Sequence, residues 1–520
     1  MEYILPIILL LPVLGAIGCG LVRSAVAARY LALATSTIVA LLVLALLFAL
    51  DWSSPRPQFE FQAGSIVSIS FVFHLGVDSI SLWLVALTAF LQVPSIAASF
   101  SAIQDRPRQY YAWMLALLTA MLGVFMARDL LLFYVFFELT LVPMFFIIGI
   151  WGGPQRRHAA GRFFLFTFSG SVFTLASIIY LGVRFNTFDI TGLVARFPAE
   201  ATRTELLWVV LGFLAGFAVK VPLFPLHTWL PLAHTEAPTA GSVILAGVLL
   251  KLGTYGILRF VLPFGFAHAD GTVPFPALLR WVAILCIMGI IYAALVSWVQ
   301  QDIKKLIAYS SVSHLGFCVL GLAAINYEGV QGSVLYMINH GLSTGAMFLV
   351  IGMIYERYHT RDIDELSGLA KRMPVLSFFF IFFTLASVGL PGLNNFVSEF
   401  LTILGAFKSP HLGIAYGSFA ALGVILGALY MLHMAAKVIW GPLRTPHAHA
   451  PAEQDPEAEH HEVKLSPDLN RREIGLLVPI ALAIVALGVI PAPLLRTLHG
   501  PVKQMVGKAQ PPAEQVVAER

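Results

Sequence analysis

The chain has 520 residues, 58% of them hydrophobic and 12% charged, with 32 Lys and Arg against 28 Asp and Glu for a net charge of +4. A soluble globular chain is nearer half apolar and about a quarter charged, so a soluble enzyme, a disordered chain and a nucleic-acid binder are excluded. Apolar blocks of about 20 residues recur from end to end, each long enough for a helix to cross a bilayer, whereas the segments of about ten alternating residues that mark an outer-membrane barrel are missing.

This pattern predicts an all-α integral membrane protein. In chain order, hydropathy gives about fourteen spans, at 3–21, 27–50, 77–100, 109–127, 129–150, 160–183, 207–230, 239–262, 277–299, 303–324, 329–355, 373–405, 412–440 and 472–495. Residues 1–520 read as a single multi-pass membrane domain with a polar His/acid-rich loop at 445–471 and a polar C-terminal tail at 497–520. The opening MEYILPIILLLPVLGAIGCG lacks a basic lead and a small-residue cleavage site, so it reads as a retained first span. Counting the charges at span ends with the adjoining loops, the loops after odd-numbered spans hold about 18 Lys and Arg against about 12 for the even-numbered loops and the two ends of the chain. That bias puts the odd loops in the cytoplasm and both termini outside.

Two spans are interrupted. Span seven reads AVKVPLFPLHTWLP, with Pro222, Pro225 and Pro231. Span twelve reads ASVGLPGLNNFVSEF, with Gly389, Pro391 and Gly392. Proline removes a backbone donor and disrupts the helix before it. Broken helices persist in a membrane only where protein or a water-filled cavity satisfies the freed carbonyls. Two breaks five spans apart suggest two inverted five-helix repeats, about helices 4–8 and 9–13, the arrangement of many transporters.

Several charges fall inside spans. Glu138 lies near the middle of span five, Lys220 just before the break of span seven, Lys251 in span eight and Glu399 in span twelve. A charge at mid-membrane costs at least about 2.5–3.5 kcal/mol, so such residues face the bundle interior and mark ion paths. The plainer reading is a buried ion pair that only fixes packing. Lys304, His314 and His340 stand in the polar runs KKLIAYSSVSHLG and MINHGLSTG. Histidine is the side chain best suited to relay protons near neutral pH, and together these groups read as a hydrated proton wire. Lys304 follows Asp302 and could instead anchor at the interface.

Other features carry no chemistry. His447, His449, His460 and His461 sit among acids without ligand spacing and read as part of a solvated linker. Cys19, Cys286 and Cys318 are far apart inside apolar runs, so no iron–sulfur or zinc site is expected. No nucleotide-binding or haem-binding pattern stands out.

The stretch FAVKVPLFPLHTWLPLAHTEAPTAGSVILAGVLLKLGTYGILR, with QQDIKKLIAYSSVSHLGF, MINHGLSTGAMFL and LGVDSIS, resembles the antiporter-like membrane subunits of proton-pumping NADH:quinone oxidoreductase, respiratory complex I. The likeness spans essentially the whole chain. Glu399 after LPGLNNF, where other branches typically carry lysine, and the ending from Pro467, PDLNRREIGLLVPIALAIVALGVIPAPLL, select one branch of that family. The resemblance implies that Glu138 and Lys220 form the central pump pair. Lys251 would be the connecting lysine and Glu399 the terminal acid. His314 and His340 would be the linking groups, with Lys304 in the same motif. Leu232 departs from the family's usual acid, and Arg162 replaces its lysine while keeping the charge.

The resemblance further implies a subunit of an oxidoreductase that itself carries no cofactor and no metal. FMN, iron–sulfur clusters and quinone would lie in or between other subunits. Its partners would be neighbouring antiporter-like chains of the membrane arm, the lipid bilayer of a bacterial inner membrane, and protons. The alternatives are a subunit of a multi-subunit cation/proton antiporter, or of a related membrane-bound hydrogenase or photosynthetic oxidoreductase. A purely structural scaffold and a solute carrier are readings of different classes.

Overall fold

A computed structural model describes residues 3–54, 56–66, 70–267, 272–444 and 467–506. The loop histidines His447, His449, His460 and His461 lie outside the described residues.

The first part comprises α1 (Ile4–Leu21), α2 (Ala25–Ala49), strands β1 (Gln58–Ile66) and β2 (Phe71–Val77), and α3 (Ser79–Ala102). Next come α4 (Pro107–Met126), α5 (Leu130–Leu139), α6 (Leu141–Trp151), α7 (Arg156–Phe185), α8 (Ile190–Glu200), α9 (Arg203–Lys220) and α10 (Trp229–Glu236). The following span runs through α11 (Thr239–Ile244), a π-helical stretch Leu245–Leu249, α12 (Leu250–Gly256) and a second π-helical stretch Ile257–Phe266. Then follow α13 (Pro276–Trp298), α14 (Ile303–Ala323), α15 (Tyr327–Tyr358), the single turn α16 (Leu369–Arg372), α17 (Pro374–Val388) and α18 (Asn394–Lys408). The last helices are α19 (Ile414–Ile439), α20 (Arg471–Val489) and α21 (Ala492–Val506).

Among the described residues, 12 helical stretches are long and apolar enough to cross a membrane. The interrupted pairs α9–α10 and α17–α18 fall short of that measure. Burial separates centre from rim. The most apolar windows of Thr239–Phe266 and of α15 are 100% buried, whereas those of α1, α2 and α19 are 33% and that of α20 is 22%. The central helices therefore carry polar groups shielded from lipid. The rim helices present Leu, Ile and Phe outward, among them Leu14, Phe48 and Ile425.

Both interruptions seen in the sequence are present. Helix α9 stops at Lys220 because Pro222 and Pro225 supply no N–H to continue it. Helix α17 ends at Gly389, whose φ of +78° is left-handed backbone that suits glycine. A third interruption separates α5 from α6 at Thr140. Its signal lies in the sequence: Pro143 crowds the carbonyl four residues earlier, that of Leu139. The antiparallel hairpin β1–β2 and the short helix α8 are further elements beyond the expected spans.

Two matching joints stand at opposite ends of the bundle. Asp129 caps α5 through the N–H groups of Leu131 and Leu132, beside a bridge between residues 129 and 189. Asp302 caps α14 through Lys304 and Lys305, beside a bridge between residues 302 and 362. The backbone bonds repeat as well: Leu130 to Phe188 and Ile190 to Arg128 in one, Ile303 to Arg361 and Ile363 to Gln301 in the other. The Asp302 end also gathers the turns at 152–155 and 236–238, that is, the loops after odd-numbered spans.

At the Asp129 end a buried ion cluster closes the bundle. Asp78 caps α3 in a reciprocal box with Ser81. Its carboxylate also accepts from Arg259, 2.5 Å from both oxygens, and lies 3.7 Å from Arg128.

Candidate functional site

The ionisable residues expected in the spans are buried, Glu138 only in part, and most are drawn into one row. Lys220 is 2% exposed at the last turn of α9. Its Nζ donates to the Thr140 hydroxyl at 3.1 Å and lies 4.8 Å from the centre of the Phe137 ring, a cation–π contact. Glu138 is half-buried two residues before that interruption, and its Oε1 has no hydrogen-bond partner among the described residues. The two charges act on each other, yet among the described residues no ion pair joins them. Both groups therefore meet at the α5–α6 break, with Thr140 holding the lysine.

Lys251 is fully buried on α12, between the two π-helical stretches. Such stretches are rare and concentrate at functional sites. Glycine packs this span tightly: a Cβ on Gly253 would stand 3.0 Å from the Val221 nitrogen, at the break of α9. The Lys251 ammonium donates to the Ala246 carbonyl and lies 2.8 Å from His340 Nδ1. The His340 ring is 5.5 Å from that of His314, centre to centre. His314 Nδ1 lies 2.5 Å from the Tyr336 hydroxyl and 3.7 Å from Glu399 Oε1. The Tyr336 hydroxyl donates to Glu399 Oε1 at 2.6 Å. Lys251, His340, His314, Tyr336 and Glu399 thus form a buried polar row running from α12 through α15 and α14 to α18.

The second break is pinned to that row. Asn339 Nδ2 donates to the Asn394 carbonyl at 2.7 Å, and Asn394 Nδ2 returns a bond to the Asn339 carbonyl at 3.0 Å. Gly389 faces Glu399, and a Cβ there would lie 2.2 Å from Oε2. Gly389→Ala should therefore both strain the left-handed turn and displace the carboxylate. We expect a destabilisation of about 1–3 kcal/mol and reduced coupled turnover of the assembled complex, read by thermal melting and by quinone reduction in proteoliposomes.

Lys304 stands apart from the row. Its Nζ donates to the Ala237 carbonyl at 2.5 Å, just past the C-terminus of α10. Arg361 donates to the Thr235 carbonyl at 2.5 Å, and the Gly153 N–H to the Glu236 carbonyl at 2.8 Å. The Glu236 carboxylate accepts the Gln155 N–H at 2.8 Å. Cations at this helix end satisfy free carbonyls and match the negative pole of the helix dipole. His234 on α10 is fully buried and stacked on the Phe348 ring at 4.8 Å, with both ring nitrogens unpartnered among the described residues. The charges of Lys304 and Lys251 both reach it. Arg162, on α7, reaches the Thr228 hydroxyl at 3.5 Å.

Sequence reasoning placed the charges but missed Tyr336 as a site residue. A tyrosine within a largely apolar helix carries no signal of its own. Its i+4 spacing to His340 was the available cue, since residues at that spacing share a helix face.

The bundle has three interrupted spans and a buried lysine–histidine–glutamate row, and its likeness to known proteins places it in the class of antiporter-like membrane subunits. Residues 127–435 match the family described as "NADH:quinone oxidoreductase/Mrp antiporter, TM". The chain is 42% identical over 484 residues to NADH-quinone oxidoreductase subunit M of Rhodobacter capsulatus, covering 91% of this chain and 89% of that one. It superposes on a chain of respiratory complex I from Thermus thermophilus with a TM-score of 0.85 at 29% identity, covering 98% of this chain and 100% of that one. It also shares its fold with a chain of the Mrp complex from Dietzia sp. DQ12-45-1b, at a TM-score of 0.80 and 20% identity, covering 98% of each. The chain belongs to the subunit M family of NADH-quinone oxidoreductase, and it is a proton-translocating membrane subunit of complex I.

Proposed function

We propose that protons cross through the buried row, with Glu138 and Lys220 as the control pair, Lys251, His340 and His314 as the connecting groups, and Glu399 as the terminal acid. Lys304 sits at the cytoplasmic end of the path. The observation that carries this reading is the chain of close contacts from Lys251 Nζ through His340 to His314 and Glu399, shielded from lipid. Isolated buried charges would be costly. A row of groups that can each hold or release a proton lets one charge move in short steps.

The mechanism follows from electrostatics. When both are charged, Glu138 stabilises the Lys220 ammonium. If a neighbouring charge draws Glu138 away, burial favours neutral lysine and the proton leaves toward Lys251. The breaks at Pro222 and Gly389 admit water and let the half-helices shift. Glu399 passes the proton to the far side. The driving free energy comes from redox chemistry in other subunits, where FMN, iron–sulfur clusters and quinone belong. The neighbouring partners are other antiporter-like chains of the membrane arm, in a bacterial inner membrane.

Counting the interrupted stretches as crossings gives fourteen, in two inverted five-helix repeats, with both termini outside the cytoplasm. The paired joints at Asp129 and Asp302 support that symmetry, since the same bonding recurs at opposite ends.

The test uses purified complex in liposomes, with assembly checked on native gels. Glu138→Gln and Glu399→Gln should each assemble and lose coupled quinone reduction and pumping by at least about tenfold. The benchmark is the roughly 10²–10⁴-fold contribution of a positioned proton-transfer group. Normal pumping in both would leave a structural subunit and end this reading.

A further inference from the structure

We propose that the Tyr336 hydroxyl carries the proton between His314 and Glu399, and that its rotation enforces one proton per passage. The inference rests on the path proposed above and adds a member to it. The direct separation of His314 Nδ1 and Glu399 Oε1, 3.7 Å, is too long for a hydrogen bond. The phenol closes that gap, at 2.5 Å from the imidazole nitrogen and 2.6 Å from the carboxylate oxygen. Tyrosine both donates and accepts, so a single oxygen serves both neighbours. Tyr336 is fully buried, and its ring packs edge-on against His314 at 5.9 Å and against Phe317 at 6.2 Å. The ring is therefore fixed, and only the hydroxyl hydrogen is free to turn.

The step balances without tyrosinate or any redox change. The N–H bond at His314 Nδ1 breaks, and that proton joins the phenolic oxygen. The original O–H bond breaks toward Glu399 Oε1, giving the carboxylic acid. Tyr336 ends neutral, as it began, but its hydrogen now points at His314. No second proton can follow until the hydroxyl turns back toward the glutamate. The Glu399 acid must meanwhile release its proton, so that it can accept again. Gly389 leaves room for its other oxygen at the break.

The experiment compares Tyr336→Phe with Glu399→Gln in the whole complex, reconstituted in proteoliposomes and checked for assembly. Phenylalanine keeps the ring and its packing and removes one oxygen. Coupled turnover of Tyr336→Phe should fall by about tenfold. That is less than the roughly 10²–10⁴-fold effect of a positioned acid or base, because water can partly fill the gap. Its solvent deuterium isotope effect should rise above that of the native complex, which a tyrosine that only orients the carboxylate would not change. Native turnover in Tyr336→Phe with lost turnover in Glu399→Gln would overturn the tyrosine link alone. Native turnover in both would overturn the whole path. Incorporation of a fluorinated tyrosine at position 336 retains the hydroxyl and the shape. If Tyr336→Phe fails to assemble, an altered turnover with the fluorinated ring supports the link and an unchanged one overturns it.

Discussion

Lys220→Met should abolish coupled quinone reduction and proton pumping, with a loss of about 100-fold or more, while leaving the assembled complex intact. The size follows from the contribution of a positioned proton-transfer group, roughly 10²–10⁴-fold. Retained assembly follows from the surroundings. Lys220 is 2% exposed, and its ammonium holds one hydroxyl and one aromatic face. A buried charge without an ion partner is costly to keep, and among the described residues no ion pair joins Lys220 to Glu138, so methionine removes that cost without breaking a pair. The Thr140 hydroxyl keeps a backbone partner in the Phe137 carbonyl at 2.7 Å, so removing the lysine strands no donor. Native gels, quinone reduction and pumping would be measured on one preparation. Near-native pumping by Lys220→Met would remove the lysine from the path, and a missing complex would show that it holds the fold.

Arg259→Leu should have the opposite profile, with loss of stability ahead of loss of chemistry. Asp78 is buried, and Arg259 is its closest cation. Removing one member of a buried pair leaves an uncompensated charge and costs about 3–5 kcal/mol. Arg128, at 3.7 Å, remains as partial compensation, so the low end is expected. The readout is the yield and melting temperature of the complex. Asp78→Asn combined with Arg259→Leu should recover part of the loss, because the stranded charge is then gone. Equal stability of Arg259→Leu and the native chain would show that Arg128 alone suffices.

Much of this architecture was legible in the amino-acid order. Lipid imposes long apolar helices, and any charge inside them stands out. That is why Glu138, Lys220, Lys251 and Glu399 could be picked without coordinates, and why Pro222 and Gly389 flagged the two breaks. What stayed hidden has physical reasons. The hairpin β1–β2 is short, and most of its first strand is solvent-facing, so it lacks a hydrophobic face to announce it. The α5–α6 break lacks glycine, and its cue, Pro143, lies three residues beyond. The separation of Lys304 from the row could not be seen, because a helix end capped from three other segments is a tertiary fact. The same holds for Glu138, whose distance from Lys220 depends on where α5 stops.

The π-helical stretches on either side of Lys251 give that span a property its composition does not express. Each wide turn accommodates a residue that an ordinary helix would have carried about 100° further round the axis. The direction in which Lys251 points is therefore set by arithmetic as well as by chemistry. The number of residues between the α10 joint and the lysine decides whether the ammonium meets His340 or misses it. In this part of the chain a one-residue change in length is a graver alteration than most changes of side chain. The span behaves as a dial whose setting is a residue count.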